Sequence, residues 1–412
     1  MLLSCLRTSL CTIALLSGHV AARPAVATTG LNSDDSLPLR GPSIVQVGSA
    51  YRNVFPAQDF NRNVTTTWWQ TDVLDGDASQ HATSLEKDLK DASFIVLNKD
   101  MYKLLGVKDH TVKKEVETIF EFPPGPSWAK RIVHDGTVHS PECNCIFMAE
   151  LHPPKTGFSA DAMPWIWRVN LHNTPPTTEK VYPSPQLTVP NGAYYHKGAI
   201  YWAQEGNYTV LATEVVLNNF YGHRFNSPND VVITRDAVVY FTDGYYGYDN
   251  FNDTLKPELA NGLWRWDMKS NDLRMVSGAG GGPFTNPNGV ALNSAQDRLY
   301  VTNRGNSSDN PAGGRTIYEF QLSHSSGIPV KRGDVFAYVD AGFPDGIKLD
   351  GDGRVYGGIA GGVTVFDSTG KHLGIIKVAE GDVAVNMQWK DDWLYIAGRD
   401  KIYRVQLSAH GV

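Results

Sequence analysis

Cysteine is scarce, and so is every long apolar run. Four cysteines in 412 residues exclude a disulfide scaffold and leave stability to core burial, which a chain of this length can supply. Cys143 and Cys145 stand two apart on one predicted strand, a spacing that would strain a bridge. No further soft ligands accompany them for zinc, so free buried thiols are expected. Past residue 22 no apolar stretch is long enough to cross a bilayer as a helix. Clusters of basic residues are missing too. With 37 Lys and Arg against 43 Asp and Glu, the formal charge is −6, and nothing offers nucleic acid an electrostatic footprint. No G-x-S-x-G and no H-E-x-x-H occurs, against a nucleophile elbow or a zincin. The glycine-rich run SGAGGGP at 277–283 lacks the Gly-Lys-Ser/Thr ending of a phosphate loop. No helical pattern worth naming is present.

What is there begins with a leader. Residues 1–22 carry an early Arg7, the apolar run CTIALL and the small residues Val20-Ala21-Ala22. They read as a secretory signal peptide cleaved before Arg23, which predicts a secreted protein. Sequons at Asn63, Asn207, Asn252 and Asn306 fit a glycosylated product. Residues 23–90 are irregular, with Trp68-Trp69 as their main apolar feature, and read as an extension wrapping the outside of the domain at 91–412.

That domain repeats one sentence. Asn226-Ser227-Pro228-Asn229-Asp230 leads into VVIT, a short charged turn and VVYFTDGYYG. β-branched and aromatic residues around a hairpin-sized break predict two antiparallel strands, with Pro228 just ahead of the first. Asn286-Pro287-Asn288-Gly289, Phe343-Pro344-Asp345-Gly346 and Pro190-Asn191-Gly192 open similar units. Looser copies start at His134-Asp135-Gly136 and Val385-Asn386-Met387. Repetition at a period of roughly fifty residues points to a propeller. The reading is all-β: a six-bladed β-propeller with an irregular N-terminal extension. The last repeat has three strands of its own, so the lone strand at 116–122 is expected to complete it and fasten the chain ends.

If every repeat opens at the axis, Asp135, Asn229, Asn288 and Asp345 meet at one mouth of the channel. Two carboxylates and two amides make an all-oxygen set suited to Ca²⁺ or another divalent cation. Taken singly, each Asn or Asp beside Gly also marks an ordinary turn. Asn191 and Asn386 occupy the same place in their repeats and are expected to line the substrate pocket. Tyr245, Tyr246 and Trp389 are expected as its apolar walls, and His134 and His139 flank the first marker. Asp350-Gly351-Asp352-Gly353 is read as a hairpin turn rather than a calcium loop, because no downstream Glu follows.

SPNDVV…YFTDGYYG, NPNGV…LYVTN and FPDGI…DGRVYGG together resemble the SMP-30/gluconolactonase family of propellers, and within it the secreted fungal lactonohydrolases. The resemblance runs from about residue 90 onward and includes HDG, Pro-Asn-Gly at Asn191 and the VNMQW strand. It implies one divalent cation, usually calcium, held by a Glu, two Asn and an Asp. Asn229, Asn288 and Asp345 match three of those positions. The chain departs at the first, where Asp135 stands for Glu. The implied reaction is hydrolysis of a small-molecule lactone with Asp345 as catalytic base. Two other activities fit the same residues: a cyclisation or cycloaddition catalyst on this scaffold, and a non-catalytic binding propeller. Neither the particular lactone nor the oligomeric state has a signature in the sequence.

Overall fold

Each repeat folds as an antiparallel meander whose first strand lies innermost. The computed structural model describes residues 39–47, 87–122, 132–151, 166–205, 209–211, 214–250, 256–278, 284–305, 314–330 and 332–412. The leader, Trp68-Trp69 and the four sequon asparagines, Asn63, Asn207, Asn252 and Asn306, lie outside these residues. Among the described residues the fold is all-β, in a β-propeller arrangement. The meanders open with Ile132–Ser140, Pro190–His196, Pro228–Ile233, Pro287–Leu292, Ile347–Leu349 and Ala384–Lys390, and we call each sheet by its marker residue. These first strands touch in cyclic order, and Ala384–Lys390 returns to Ile132–Ser140.

The cyclic order follows from where the apolar side chains go. Val231, Ile233, Phe241 and Trp264 of the Asn229 sheet pack on Ala203 and Val210 of the Asn191 sheet. Val232, Tyr240 and Leu263, from the other face of the Asn229 sheet, pack on Val290, Leu299 and Val301 of the Asn288 sheet. Every interior sheet is therefore sandwiched, which is why the run Val231-Val232-Ile233 is apolar without alternation. Further clusters fill the remaining gaps. One joins Tyr395 and Ile402 of the last sheet to Ile146 and Trp167 of the Asp135 sheet.

Glu117–Glu121 completes the last sheet as its outer strand, antiparallel to Lys401–Gln406, as the sequence led us to expect. Arg404 donates to Glu117 at 2.7 Å across this seam. Phe122 packs edge-on against Trp167 of the next sheet, 4.9 Å between centroids.

Three local expectations are corrected. Pro228 is the first residue of its strand rather than a residue before it; a missing N–H is tolerated there because the ladder is already irregular between Pro228 and Val231. Part of the 23–90 segment is regular: Ile44–Gln46 pairs in parallel with Phe94–Val96, which adds to the outer edge of the Asp345 sheet. Short helices also occur, at Asp100–Leu105 and Tyr246–Asn250. The first buries Met101, Tyr102, Leu104 and Leu105 and ends at Gly106, whose φ of 65° suits glycine. A helix this short is too brief to display a period. Cys143 and Cys145 are free thiols; Cys145 is buried, Cys143 half-buried. Burial is the main cause that pushes the Cys145 thiol up to about 12.

Lys377 ties the N-terminal elements to the Asp345 sheet. Its buried ammonium donates to the carbonyls of Leu89 and Lys90, at the end of the helical turn 87–91. Burial lowers its pKa from 10.5 to about 8. The unfolded chain therefore binds the extra proton between those values, and the folded state gains stability as pH rises through that window. Lys377→Met should reduce unfolding free energy by about 1–3 kcal/mol at pH 7, by stranding two carbonyls. The gap to the parent should widen by roughly 3 kcal/mol on going from pH 8 to 10.5. Urea unfolding of both proteins across that range checks it; a gap that narrows with pH would contradict it.

Candidate functional site

Except for Asp345, which precedes its strand, the marker residues sit where the innermost strands break register. The ladder shifts between Pro228 and Val231, between Pro287 and Val290, on either side of Asp135, and between Ala384 and Asn386. A bulge turns a side chain out of the pleat, and here it frees one polar residue per strand from the apolar packing between sheets. Gly136 shows how tight the bend is. Its φ is 65°, and a Cβ there would lie 2.6 Å from the Asn191 carbonyl and 2.5 Å from the Trp202 ring.

In three of the sheets a polar residue at the end of the second strand holds the loop before the innermost strand. Asp243 accepts from the backbone N–H of Asn226 at 2.9 Å and of Ser227 at 2.6 Å. Asn303 accepts from those of Thr285 and Asn286, and Gln204 from that of Thr188. The next residue along is then free to reach the centre. After Gln204 this is Glu205; after Asn303 it is Arg304. Buried threonines join neighbouring innermost strands: Thr242 donates to the Asn288 carbonyl, Thr302 to the Asp345 carbonyl at 2.7 Å, and Thr137 to the Met387 carbonyl at 2.8 Å.

Asp135, Asn191, Asn229, Asn288, Asp345 and Asn386 are all buried. The Asn229 amide donates to Glu205 Oε1 at 2.8 Å, which leaves Asn229 Oδ1 buried without a partner. Asn288 Oδ1 and Asp345 Oδ1 are likewise buried and unpartnered. Asn386 Nδ2 donates to Asp135 Oδ1, which also accepts from the Gly136 N–H, and Lys348 Nζ donates to Asn386 Oδ1 at 3.3 Å. Both amide atoms of Asn191 lack a partner of normal geometry, although the side chain lies close enough to favour an ionised Glu205. Asp230, absent from the predicted set, is buried among these groups and links two strands by accepting from the Val231 and Val290 N–H.

Electrostatics set this region apart. Burial pushes Glu205 up to about 8. Burial raises Asp135 well above the usual carboxylate range, and Asp230 and Asp345 add repulsion. Asp230 and Asp345 are raised for the same first reason; Lys348 opposes the shift at Asp230, and Arg304 and Arg399 oppose it at Asp345. Arg304 Nη1 stands 4.0 Å from Asp345 Oδ2. Tyr246 is buried, and its hydroxyl donates to the Asn286 carbonyl at 3.2 Å. Tyr245 is half-buried, its backbone N–H bound to Asn286 Oδ1. Trp389 is not a wall of this region: it packs edge-on against Tyr356 and lines a cavity further along the innermost strands. His139 lines that cavity too. Among the described residues no three His, Cys, Asp or Glu side chains gather as a metal-binding group; the candidate set mixes carboxylates with amides.

Glu205, Asp230 and Arg304 were missed in the sequence. A signal existed for two of them: each follows a polar residue that closes an apolar second strand, as in YWAQE and YVTNR.

A propeller whose repeats each present one buried oxygen group to a shared centre defines a narrow class. A family model of the SMP-30/Gluconolactonase/LRE-like region matches residues 166–397, and the chain belongs to that family. It is 24% identical over 360 residues to lactonohydrolase oryL of Aspergillus oryzae, spanning 79% of this chain and 76% of the relative. To the gluconolactonase of Zymomonas mobilis it is 31% identical over 231 residues, 52% of this chain and 62% of that one. A solved gluconolactonase structure from Xanthomonas campestris superposes with a TM-score of 0.61 at 20% identity, covering 76% of this chain and 95% of the other, which supports the fold.

The threonine links carry a stability prediction. Thr302 is fully buried, and its hydroxyl accepts from the Gly289 N–H at 2.7 Å while donating to the Asp345 carbonyl. Thr302→Val keeps the shape and strands both groups, so it should cost about 1–3 kcal/mol. Thr369→Val at an exposed turn is the control and should cost less. Equal unfolding free energies for Thr302→Val and the parent would refute the assignment.

Proposed function

We propose that the chain is a secreted, divalent-metal-dependent lactone hydrolase on a six-bladed propeller at residues 91–412. Residues 1–22 act as its signal peptide and 23–90 as an extension. Six innermost strands touching in a ring support the blade count. The observation that carries the metal reading is the trio Asn229 Oδ1, Asn288 Oδ1 and Asp345 Oδ1, three buried oxygens on successive repeats with no hydrogen-bond partner. Buried acceptors without partners cost free energy, and hard oxygen donors of this kind suit calcium or another divalent cation. Charge agrees. Asp135, Glu205, Asp230 and Asp345 are buried together, opposed by Arg304, Lys348 and Arg399, and burial raises all four acids, a cost that a bound cation would offset. The residues fit the cation.

Asn229, Asn288 and Asp345 would hold it, with Asp135 as the remaining oxygen group of the set. When bound, such an ion supplies Lewis-acid polarisation of a carbonyl oxygen. The substrate class comes from relatives named lactonohydrolase and gluconolactonase. Asp345 takes a proton from the water that attacks the ring carbonyl. The ring C–O bond then breaks, the leaving oxygen is protonated, and a hydroxy acid departs. Arg304 favours the ionised form of Asp345 that this role needs. Glu205 fixes the Asn229 amide with its nitrogen turned away, so that Oδ1 is the atom presented. Asn191, Asn386, Tyr245 and Tyr246 bound the space for the substrate.

The test separates ligand from base. Asn229→Ala and Asn288→Ala each remove a carbonyl ligand, so calcium affinity measured by calorimetry should fall, and added calcium should restore part of the lactone turnover by mass action. Asp345→Asn keeps the shape and one oxygen but cannot take the proton. Its turnover should drop by about 10²–10⁴-fold, and calcium should not restore it. Glycans on secreted material that begins near Arg23 would support export. An Asp345→Asn variant that hydrolyses lactones at the parental rate would sink the hydrolase reading and favour cyclisation or simple binding.

A further inference from the structure

The buried acids of the centre fall into two groups by the partners they keep. Asp135 Oδ1 accepts from the Asn386 amide and from the Gly136 N–H. Asn386 in turn accepts from Lys348 and from the Met387 N–H, and Lys348 is also the charge that opposes Asp230. This first group is closed, with its amide engaged at both ends. Glu205 belongs to the second. Its Oε1 accepts from Asn229 Nδ2 at 2.8 Å, and Asn191 and Arg304 lie close enough to act on it. Asp345 stands between the groups and acts on both Asp135 and Glu205. The unpartnered marker oxygens, on Asn191, Asn229, Asn288 and Asp345, all lie outside the Asp135–Asn386 pair.

One ion cannot take every acid. Among the described residues no three His, Cys, Asp or Glu side chains gather as a metal-binding group, so a cation on Asp345 has at most one other carboxylate beside it. Asp135 has already committed one oxygen to two donors. Glu205 spends Oε1 on Asn229, and a carboxylate offers about four lone-pair sites. Its position is firm: Glu205 is 2% exposed and follows Gln204, which holds the Thr188 N–H at 2.7 Å. The bond to Asn229 leaves the amide oxygen and the remaining carboxylate oxygen as acceptors on one linked pair from adjacent repeats. Together Glu205 and Asp345 match the two charges of a divalent ion. We propose that Glu205 is a direct oxygen ligand of the cation, the second carboxylate beside Asp345, while Asp135 holds Asn386 in the wall; this rests on the metal reading above and names one more residue of that site.

Calcium calorimetry and europium luminescence on the full chain test it, and neither reads turnover. Glu205→Gln keeps an oxygen for the Asn229 amide but loses the charge and the second carboxylate oxygen. Asp135→Asn removes one carboxylate from the same centre and is the control. Glu205→Gln should weaken calcium by about tenfold or more, and by more than Asp135→Asn does. The lifetime of bound Eu³⁺ in H₂O and D₂O counts the waters on the ion; Glu205→Gln should gain about one and Asp135→Asn none. A Glu205 that only orients Asn229 leaves the water count at the parental value. Either that result, or an affinity loss no greater than that of Asp135→Asn, would overturn the proposal. If Glu205→Gln does not fold or takes up no europium, Glu205→Asp decides: it keeps the charge and withdraws the oxygens by one methylene, so calcium should weaken and a water be gained, and parental values would overturn the ligand role. A parent that binds neither ion sinks the metal reading and this inference together, whereas a parent that binds and a Glu205→Gln variant that binds equally well sink this inference alone.

Discussion

Carboxylates buried together at the centre of the ring are the constraint on which the rest of the structure depends. Asp135, Glu205, Asp230 and Asp345 are all buried. Removing a carboxylate from water costs several kcal/mol unless hydrogen bonds or opposite charge replace the lost hydration. The fold answers with specific partners at each acid: backbone N–H groups for Asp135 and Asp230, the Asn229 amide for Glu205, and the Arg304 guanidinium near Asp345. Every one of these partners comes from an innermost strand or the end of a second strand. The architecture and the polar centre are therefore one arrangement.

The division of labour within a repeat follows from this. Middle portions of the strands are apolar on both faces and pack sheet on sheet, which fixes the ring. Strand ends are polar and cannot pack that way. The bulge at every marker except Asp345 turns the polar residue away from the neighbouring sheet, and in the Asn229 sheet the cap at the end of the second strand satisfies the loop that precedes it. Threonine suits the seam because its hydroxyl both donates and accepts. Thr302 reaches the Asp345 carbonyl on the next repeat and the Gly289 N–H on its own. Displacing one strand therefore disturbs the partner of a site residue on its neighbour.

This explains what was legible in the sequence. Asn229, Asn288 and Asp345 each stand in a repeated phrase, and repetition in place made them visible before any coordinates. The closing strand at 116–122 was legible as a strand left over beside a repeat that lacked one. Glu205 and Arg304 were harder to single out: each follows a polar residue that closes an apolar second strand, but that phrase alone does not tell a buried charge from a solvated one. Their surroundings depend on the adjacent repeat, and a single phrase carries no information about its neighbour. Trp389 misled for a related reason. It follows its marker closely, but a pleated strand sends alternate residues to opposite faces, and packing against Tyr356 took the ring out of the proposed pocket. The helices were hidden by brevity.

The chemistry of the centre turns on an asymmetry among its amides. Asn229 and Asn386 both bond to a buried carboxylate through their nitrogen, yet they end differently. Asn386 has Lys348 on its oxygen and the Met387 N–H as a second donor, so both ends of its amide are engaged. Asn229 has Glu205 on its nitrogen and nothing on its oxygen. A carboxylate behind an amide fixes which end faces forward, because a flipped amide would set oxygen against oxygen. Glu205 thus selects the presented atom without needing to touch anything beyond Asn229. Asn386 is thereby closed at both ends, whereas Asn229 is left with a bare oxygen. Asn288 also keeps a bare oxygen, and Asp345 on the next repeat presents another. The unpartnered acceptors therefore run over four successive repeats, those of Asn191, Asn229, Asn288 and Asp345, and stop at Asn386, whose oxygen is engaged.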